Sequence, residues 1–222
     1  MKRIKFPRIF HVPFSEKLSS DDKRLDDLSC LKDENIVITE KYDGENTTIY
    51  SDGYVHARSM DYNKHPGRTY VSSLAARLNG QIPTGWRVCG ENLQARHTIP
   101  YYNLNDWFLV FAIFNERNHC LSWDDTKEWT RILDLHHVKE LGRFLSGNPE
   151  KYIRDTVALH RSQSIEGFVI RNIDTFPFED WSDNVAKFVY KHFEVPEEHW
   201  MHKEIVFSGR IDTTDSSVGS KI

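Results

Sequence analysis

The chain has 222 residues, with 39% apolar and 28% charged side chains and a formal net charge of -4, which fits one sizeable packed domain with small extensions and excludes a disordered chain. That charge also excludes a surface coated in basic residues for general nucleic-acid binding, while leaving room for a local basic groove. No apolar run approaches the roughly 20 residues of a membrane helix, Pro7 breaks the short basic N-terminus so that no signal peptide is expected, and three scattered cysteines, Cys30, Cys89 and Cys120, favour a reducing cytoplasmic setting over a disulfide framework or structural zinc.

Residues 1–35 read as an irregular N-terminal extension packing on a domain that spans 36–206. Residues 36–58 read as consecutive short strands, with Ser51-Asp52-Gly53 as the hairpin turn between Thr47–Tyr50 and Tyr54–Arg58. Tyr70 to Asn79 carries Val71, Leu74 and Leu78 on one helical stripe, and Gly80 stops it. Trp86–Asn92 reads as a strand, and the continuous apolar run Trp107–Asn115 as a buried one. Ser122 is placed to cap a helix reaching about Leu135, and Asn148-Pro149 opens another through about His160. Ile165–Asn172 and Val185–Lys191 read as strands, Glu197–Lys203 as a short helix, and 207–222 as a flexible polar tail. Strands that mostly follow one another, with few helices between, give an α+β fold of largely antiparallel sheets flanked by helices. Neither G-x-x-x-x-G-K-[ST] nor G-x-G-x-x-G occurs, so phosphates are not held by those loops.

Five segments carry chemistry. Lys41-Tyr42-Asp43-Gly44-Glu45-Asn46 places a lysine at a strand end before an acid and a glycine. Gly90-Glu91-Asn92-Leu93 ends a second strand, and Phe108–Ile113 forms a third. Glu166-Gly167-Phe168 puts an acid at the head of a fourth, and Val185–Lys191 sets lysines along a fifth. Each is weak alone: Phe111 reads as core, Glu166 as a surface acid, Lys187 as an edge lysine. Arg58-Ser59 and Asn63–Arg68 form a basic loop, equally a solvated loop or a phosphate site. His11, His136 and His137 have no partners at metal-ligand spacing and read as structural.

Together, in this order, these segments resemble the motifs of the covalent nucleotidyltransferase superfamily, the ATP-dependent DNA and RNA ligases and mRNA capping enzymes. The spacings from Glu91 to Phe111 and from Glu166 to Lys187, and Asn46 closing the first motif, are most similar to the phage-type RNA ligase 2 branch. The resemblance implies an ATP-grasp-like ligase adenylation domain. It also implies an ATP-dependent RNA ligase sealing 5′-phosphate and 3′-hydroxyl ends through lysyl-AMP and RNA-adenylate. A DNA ligase, a GTP-using capping relative and an inactive end-binding module are the alternatives.

By the same resemblance, Lys41 is the nucleophile. Asp43, Glu91 and Glu166 hold Mg²⁺ (or Mn²⁺) through its waters, and Glu91 also serves the ribose. Phe111 stacks on adenine, Glu40 and Asn46 help bind the nucleotide, and Lys187 contacts the α-phosphate. Arg58 binds phosphates or the RNA end, with Lys64, Arg68, Arg96 and Lys191 as further RNA or phosphate contacts. The chemistry is coherent: freeing an ordinary lysine amine, pKa about 10.4, at neutral pH costs roughly 4–5 kcal/mol. Carboxylates alone would raise that cost, so a metal ion beside them resolves the conflict. Two positions depart from the family pattern: Val189 stands where a second lysine is common, and Ala112 where an aspartate often follows the stacking phenylalanine. No complete OB domain is expected, which leaves three ways of working open: weak sealing by the bare domain, action with a separate RNA-binding or end-healing partner, or work on already adenylylated ends, with no membrane involved.

Overall fold

The computed structural model describes residues 2–31, 35–60, 62–193 and 204–211. Its strands are β1 (Phe10–His11), β2 (Ile36–Lys41), β3 (Glu45–Tyr50), β4 (Val55–Ala57), β5 (Arg87–Asn92), β6 (Phe108–Phe114), β7 (His119–Cys120), β8 (His136–His137), β9 (Glu140–Phe144), β10 (Gly167–Asn172), β11 (Phe176–Pro177) and β12 (Val185–Val189). Its helices are α1 (Thr69–Leu78), α2 (Trp123–Ile132), α3 (Pro149–His160) and the short α4 (Trp181–Asn184).

Two sheets result. One has the order β1-β12-β10-β2-β9, the other β11-β7-β6-β5-β3-β4 with β8 paired to β6. Pairing is antiparallel except for β1 on β12 and β8 on β6. Local chemistry explains the elements. The runs Ile36-Val37-Ile38 and Phe108–Phe114 are apolar on both pleat faces because both faces are covered, Phe111 alone among the latter being partly exposed. The stripe Val71, Leu74 and Leu78 seats α1 against Ile49, Val88 and Ile113 of the second sheet. Asn148 caps α3 by accepting the Lys151 N–H, and Ile153 and Val157 seat that helix on Ile38 and Phe168 of the first sheet. Ser122 caps α2 in the same way through the Asp125 N–H.

Two expectations change, and one strand is unannounced. The last strand ends at Val189, so Lys191 sits in a turn with its N–H held by Glu16 rather than on the strand face. Residues 207–211, expected as free tail, lie against the loop before β6: Trp107 Nε1 donates to the Ser208 carbonyl, and Phe207 bridges to Ala95. The half-buried edge strand β9 had no sequence signature, because its pattern (ELGRF) neither alternates nor is continuously apolar. The helix expected at Glu197–Lys203 and the tail beyond Ile211 lie outside the described residues. No helix among the described residues is long and apolar enough to cross a membrane.

Candidate active site

Lys41 ends β2, and the three residues after it carry the chain from the first sheet to the second. Register fixes its neighbour. Gly167 of β10 pairs with Lys41, which sets Glu166, one residue earlier, beside the amine, with Nζ to Oε2 at 2.5 Å. Only glycine fits at 167: a Cβ there would stand 1.9 Å from the Phe188 carbonyl oxygen. The Glu-Gly pair is thus a packing requirement as well as a chemical one.

The crossing loop is tied on all sides. The Asp43 N–H donates to the Tyr101 hydroxyl at 2.9 Å, and Asp43 Oδ2 accepts the N–H groups of Thr98 and Ile99 at 2.7 and 3.0 Å. The Gly44 N–H donates to Glu91 Oε1 at 3.1 Å. A Cβ on Gly44 would meet the Asn92 carbonyl at 2.5 Å, so glycine lets the nucleophile loop lie directly on β5. Asp43 therefore spends one oxygen on structure, a role its place in the motif does not announce. Tyr101, which no motif singled out, holds the loop from the other side, and burial pushes its hydroxyl far above the ordinary tyrosine range.

Electrostatics set the state of the amine. Burial alone would lower the Lys41 pKa, but Glu166, Glu91 and Asp43 outweigh it and hold the group above its ordinary value. The site so arranged holds an ammonium. Glu91 is pushed up to about 8, first by burial and then by Glu166 and Asp43 against the pull of Lys41.

A cavity of about 810 Å³ opens on this cluster, within the range of small-molecule sites. It gathers Glu40, Lys41, Asp43, Asn46, Arg58, Glu91, Phe111, Glu166 and Lys187 from both sheets. Asn46 Oδ1 is enclosed there and takes no hydrogen bond from the described residues, an acceptor left for whatever fills the space. Lys64, Arg96 and Lys191 are exposed and do not line it. Arg68 does, but not as a free cation of a solvated loop. It is buried, its Nε donates to Glu45 at 2.8 Å, a second nitrogen bonds the same carboxylate, and Nη1 donates to the Asn63 carbonyl. Burial with a fixed partner claims the charge that the basic loop seemed to offer.

Sequence reasoning missed one whole wall. Phe6, Arg8, Lys17 and Asp22 of the N-terminal segment also line the cavity. Phe6 packs edge-on against Phe111 with ring centroids 5.1 Å apart, and Asp22 Oδ1 accepts from Lys187 Nζ at 2.8 Å. No motif or periodicity marks these residues, and the acid pair Asp21-Asp22 is matched by a second pair, Asp26-Asp27, in the same segment.

The acids fit a hydrated divalent cation. Three carboxylates face the Lys41 ammonium, and burial together with the neighbouring acids Glu166 and Asp43 pushes Glu91 up to about 8. Among the described residues, no three acids, histidines or cysteines are disposed to ligate one ion directly.

Residues 34–189 match the family model described as RNA ligase. Among solved structures, the chain is similar to an archaeal ATP-dependent RNA ligase at 18% identity and a TM-score of 0.56, covering 83% of this chain and 48% of that one. It is similar to a Naegleria gruberi RNA ligase with PPi at 16% identity and a TM-score of 0.57, covering 85% of this chain and 60% of that one. A point mutant of the Naegleria gruberi enzyme with ATP and Mn matches at 15% identity and a TM-score of 0.51, covering 84% and 59%. At these identities the structures establish a shared fold, and the chain spans about half the length of the solved relatives it matches. No curated protein matches it.

Proposed function

The chain belongs to the RNA ligase family, and from that premise we propose that it is an ATP-dependent RNA ligase that joins 5′-phosphate to 3′-hydroxyl ends. One observation carries the reading: Lys41 touches Glu166 in a cavity that also presents Glu91, Phe111 and Lys187. A nucleophile, a proton acceptor, an aromatic face and a phosphate cation thus stand around a nucleotide-sized space.

In the first step Lys41 passes its proton to Glu166, 2.5 Å away, and its Nζ attacks the α-phosphorus of ATP. The N–P bond forms as the P–O bond to pyrophosphate breaks. Lys187 balances charge developing on the α-phosphate oxygens, Phe111 offers its exposed face to adenine, and Arg58 serves the phosphates at the cavity rim. Asp43, Glu91 and Glu166 would hold Mg²⁺ or Mn²⁺ by its waters, and such an ion would supply positive charge that offsets the acids and eases loss of the lysine proton. The AMP then passes from Lys41 to an RNA 5′-phosphate, and a 3′-hydroxyl attack joins the ends and releases AMP. Grip on the RNA is assigned to a separate RNA-binding or end-healing partner. The three cysteines are free thiols, which supports a reducing cytoplasmic setting.

Incubation with radiolabelled ATP, GTP and NAD in turn, followed by nicked RNA and nicked DNA duplexes, tests this. ATP alone should label the protein, and RNA should be sealed in preference to DNA. Labelling by GTP would make it a capping relative, sealing of DNA alone a DNA ligase, and no label at saturating ATP and Mg²⁺ an end-binding module.

A further inference from the structure

The family match begins at residue 34, yet a partner of Lys187 comes from before it. Strand β1 lies parallel to β12, with His11 in register with Lys187. The following turn is sewn to the same strand: the Val12 N–H donates to the Lys187 carbonyl, and the N–H groups of Glu16 and Lys17 to the Val189 carbonyl. This places Asp22 in the cavity wall with both oxygens engaged. Oδ1 takes Lys187 Nζ at 2.8 Å, and Oδ2 takes the Ser19 N–H at 2.9 Å and faces His11 Nε2 at 3.2 Å.

His11 Nδ1 and Ser15 Oγ share a hydrogen bond at 2.7 Å, while Nε2 faces Asp22 Oδ2 without bonding to it. Ser15 Oγ in turn accepts the Val189 N–H at 3.0 Å. Ser15 and His11 are buried. A run of contacts thus starts and ends on β12: the Val189 amide bonds Ser15, Ser15 bonds His11, His11 stands beside Asp22, and Asp22 bonds Lys187. His11 stays neutral at physiological pH, because burial and then the charge of Lys187 lower it to about 4. It packs beside Asp22 without adding a competing cation.

We propose that Asp22 is a positioning residue for Lys187, holding its Nζ toward the α-phosphate before the nucleotide arrives. An ammonium has three N–H donors; one spent on Asp22 leaves two for a phosphate. Fixing a four-carbon side chain in advance removes rotamer entropy that would otherwise be lost at the transition state. The inference rests on the ligase reading, because it needs the α-phosphate contact of Lys187.

The test is a double-mutant cycle on lysyl-AMP formation, read as the rate of adduct appearance at saturating ATP together with the KM for ATP. Asp22→Ala should slow the adduct about tenfold with KM changed less than about twofold, and Asp22→Asn, which keeps the shape and the bond to Ser19 but loses the charge, should fall between. In a Lys187→Ala background, Asp22→Ala should have no further effect. Asp22→Asn carries the test if the alanine variant is unfolded by circular dichroism. Multiplicative effects in the double variant, or an Asp22 variant that forms adduct faster or binds ATP more tightly, would overturn the proposal. A wild-type protein that forms no adduct defeats the ligase reading itself. A wild type that forms it while Asp22→Ala does so equally well defeats only the role of Asp22.

Discussion

Two of the lysines that face the cavity, Lys41 and Lys187, are each paired to a carboxylate, but the pairs have different origins. Lys41 and Glu166 both lie inside the family-matched segment and are brought together by the register of β2 on β10. Lys187 lies inside it too, whereas Asp22 arrives on an N-terminal strap that precedes the match. On the proposed mechanism the first pair belongs to the chemistry: its acid is within reach of the proton that must leave the amine. The second, as proposed, is geometric: its acid is tethered by a backbone amide, lies beside a buried histidine and holds a side chain still. A motif read along the chain finds the first kind of pair. The second kind is found only once the fold lays the strap beside β12.

That contrast can be broken at either end. The largest effect is expected from Lys41→Ala, which should bring the adduct with labelled ATP below detection by gel autoradiography, with the far-ultraviolet circular dichroism unchanged. Next comes Gly167→Ala, whose Cβ must displace the Phe188 carbonyl. Urea unfolding should report a loss of about 3 kcal/mol or more, because β10 then has to part from β12 and the two pairs lose their common support.

His11 sharpens the geometric side through pH. Its folded value lies near 4 against an ordinary 6.5, so between those pH values the unfolded chain binds more protons. Stability from the neutral ring is complete above pH 6.5 and is lost as pH falls toward 4, by up to about 3 kcal/mol. Asp22, whose carboxyl is held below its ordinary 3.8 because Lys187 and the Ser19 amide outweigh its burial, acts at lower pH, beneath that window. Urea unfolding across pH 4–7 should therefore show a slope in the wild type that flattens in His11→Gln. The smallest effect is expected from Phe111→Ala, a rise of about tenfold in the KM for ATP with little change in the rate at saturation, measured by adduct formation.

How much of this was legible in the sequence follows the same division. Ile36–Lys41, Phe108–Phe114, α1 and α3 announce themselves through apolar runs, a helical stripe and a Pro-opened cap, because their burial is dictated by their own residues. The cluster of Lys41, Glu91, Phe111, Glu166 and Lys187 is legible through its order. The strap is not: β1 is two residues long, and a parallel bridge of that length leaves no period to read. Arg68 misleads for the opposite reason, since its sequence neighbours are polar while its partner, Glu45, lies on a distant strand. Lys191 misleads because the strand beneath it stops at Val189.

The central claim is that Lys41 becomes covalently attached to AMP. Peptide mapping by mass spectrometry, after incubation of the wild-type protein with ATP and Mg²⁺ and without RNA, tests it most directly. The account predicts one adenylylated peptide, modified at Lys41 and released by mild acid as a phosphoramidate is. An unmodified Lys41 under those conditions, or AMP found on a different side chain, would contradict it.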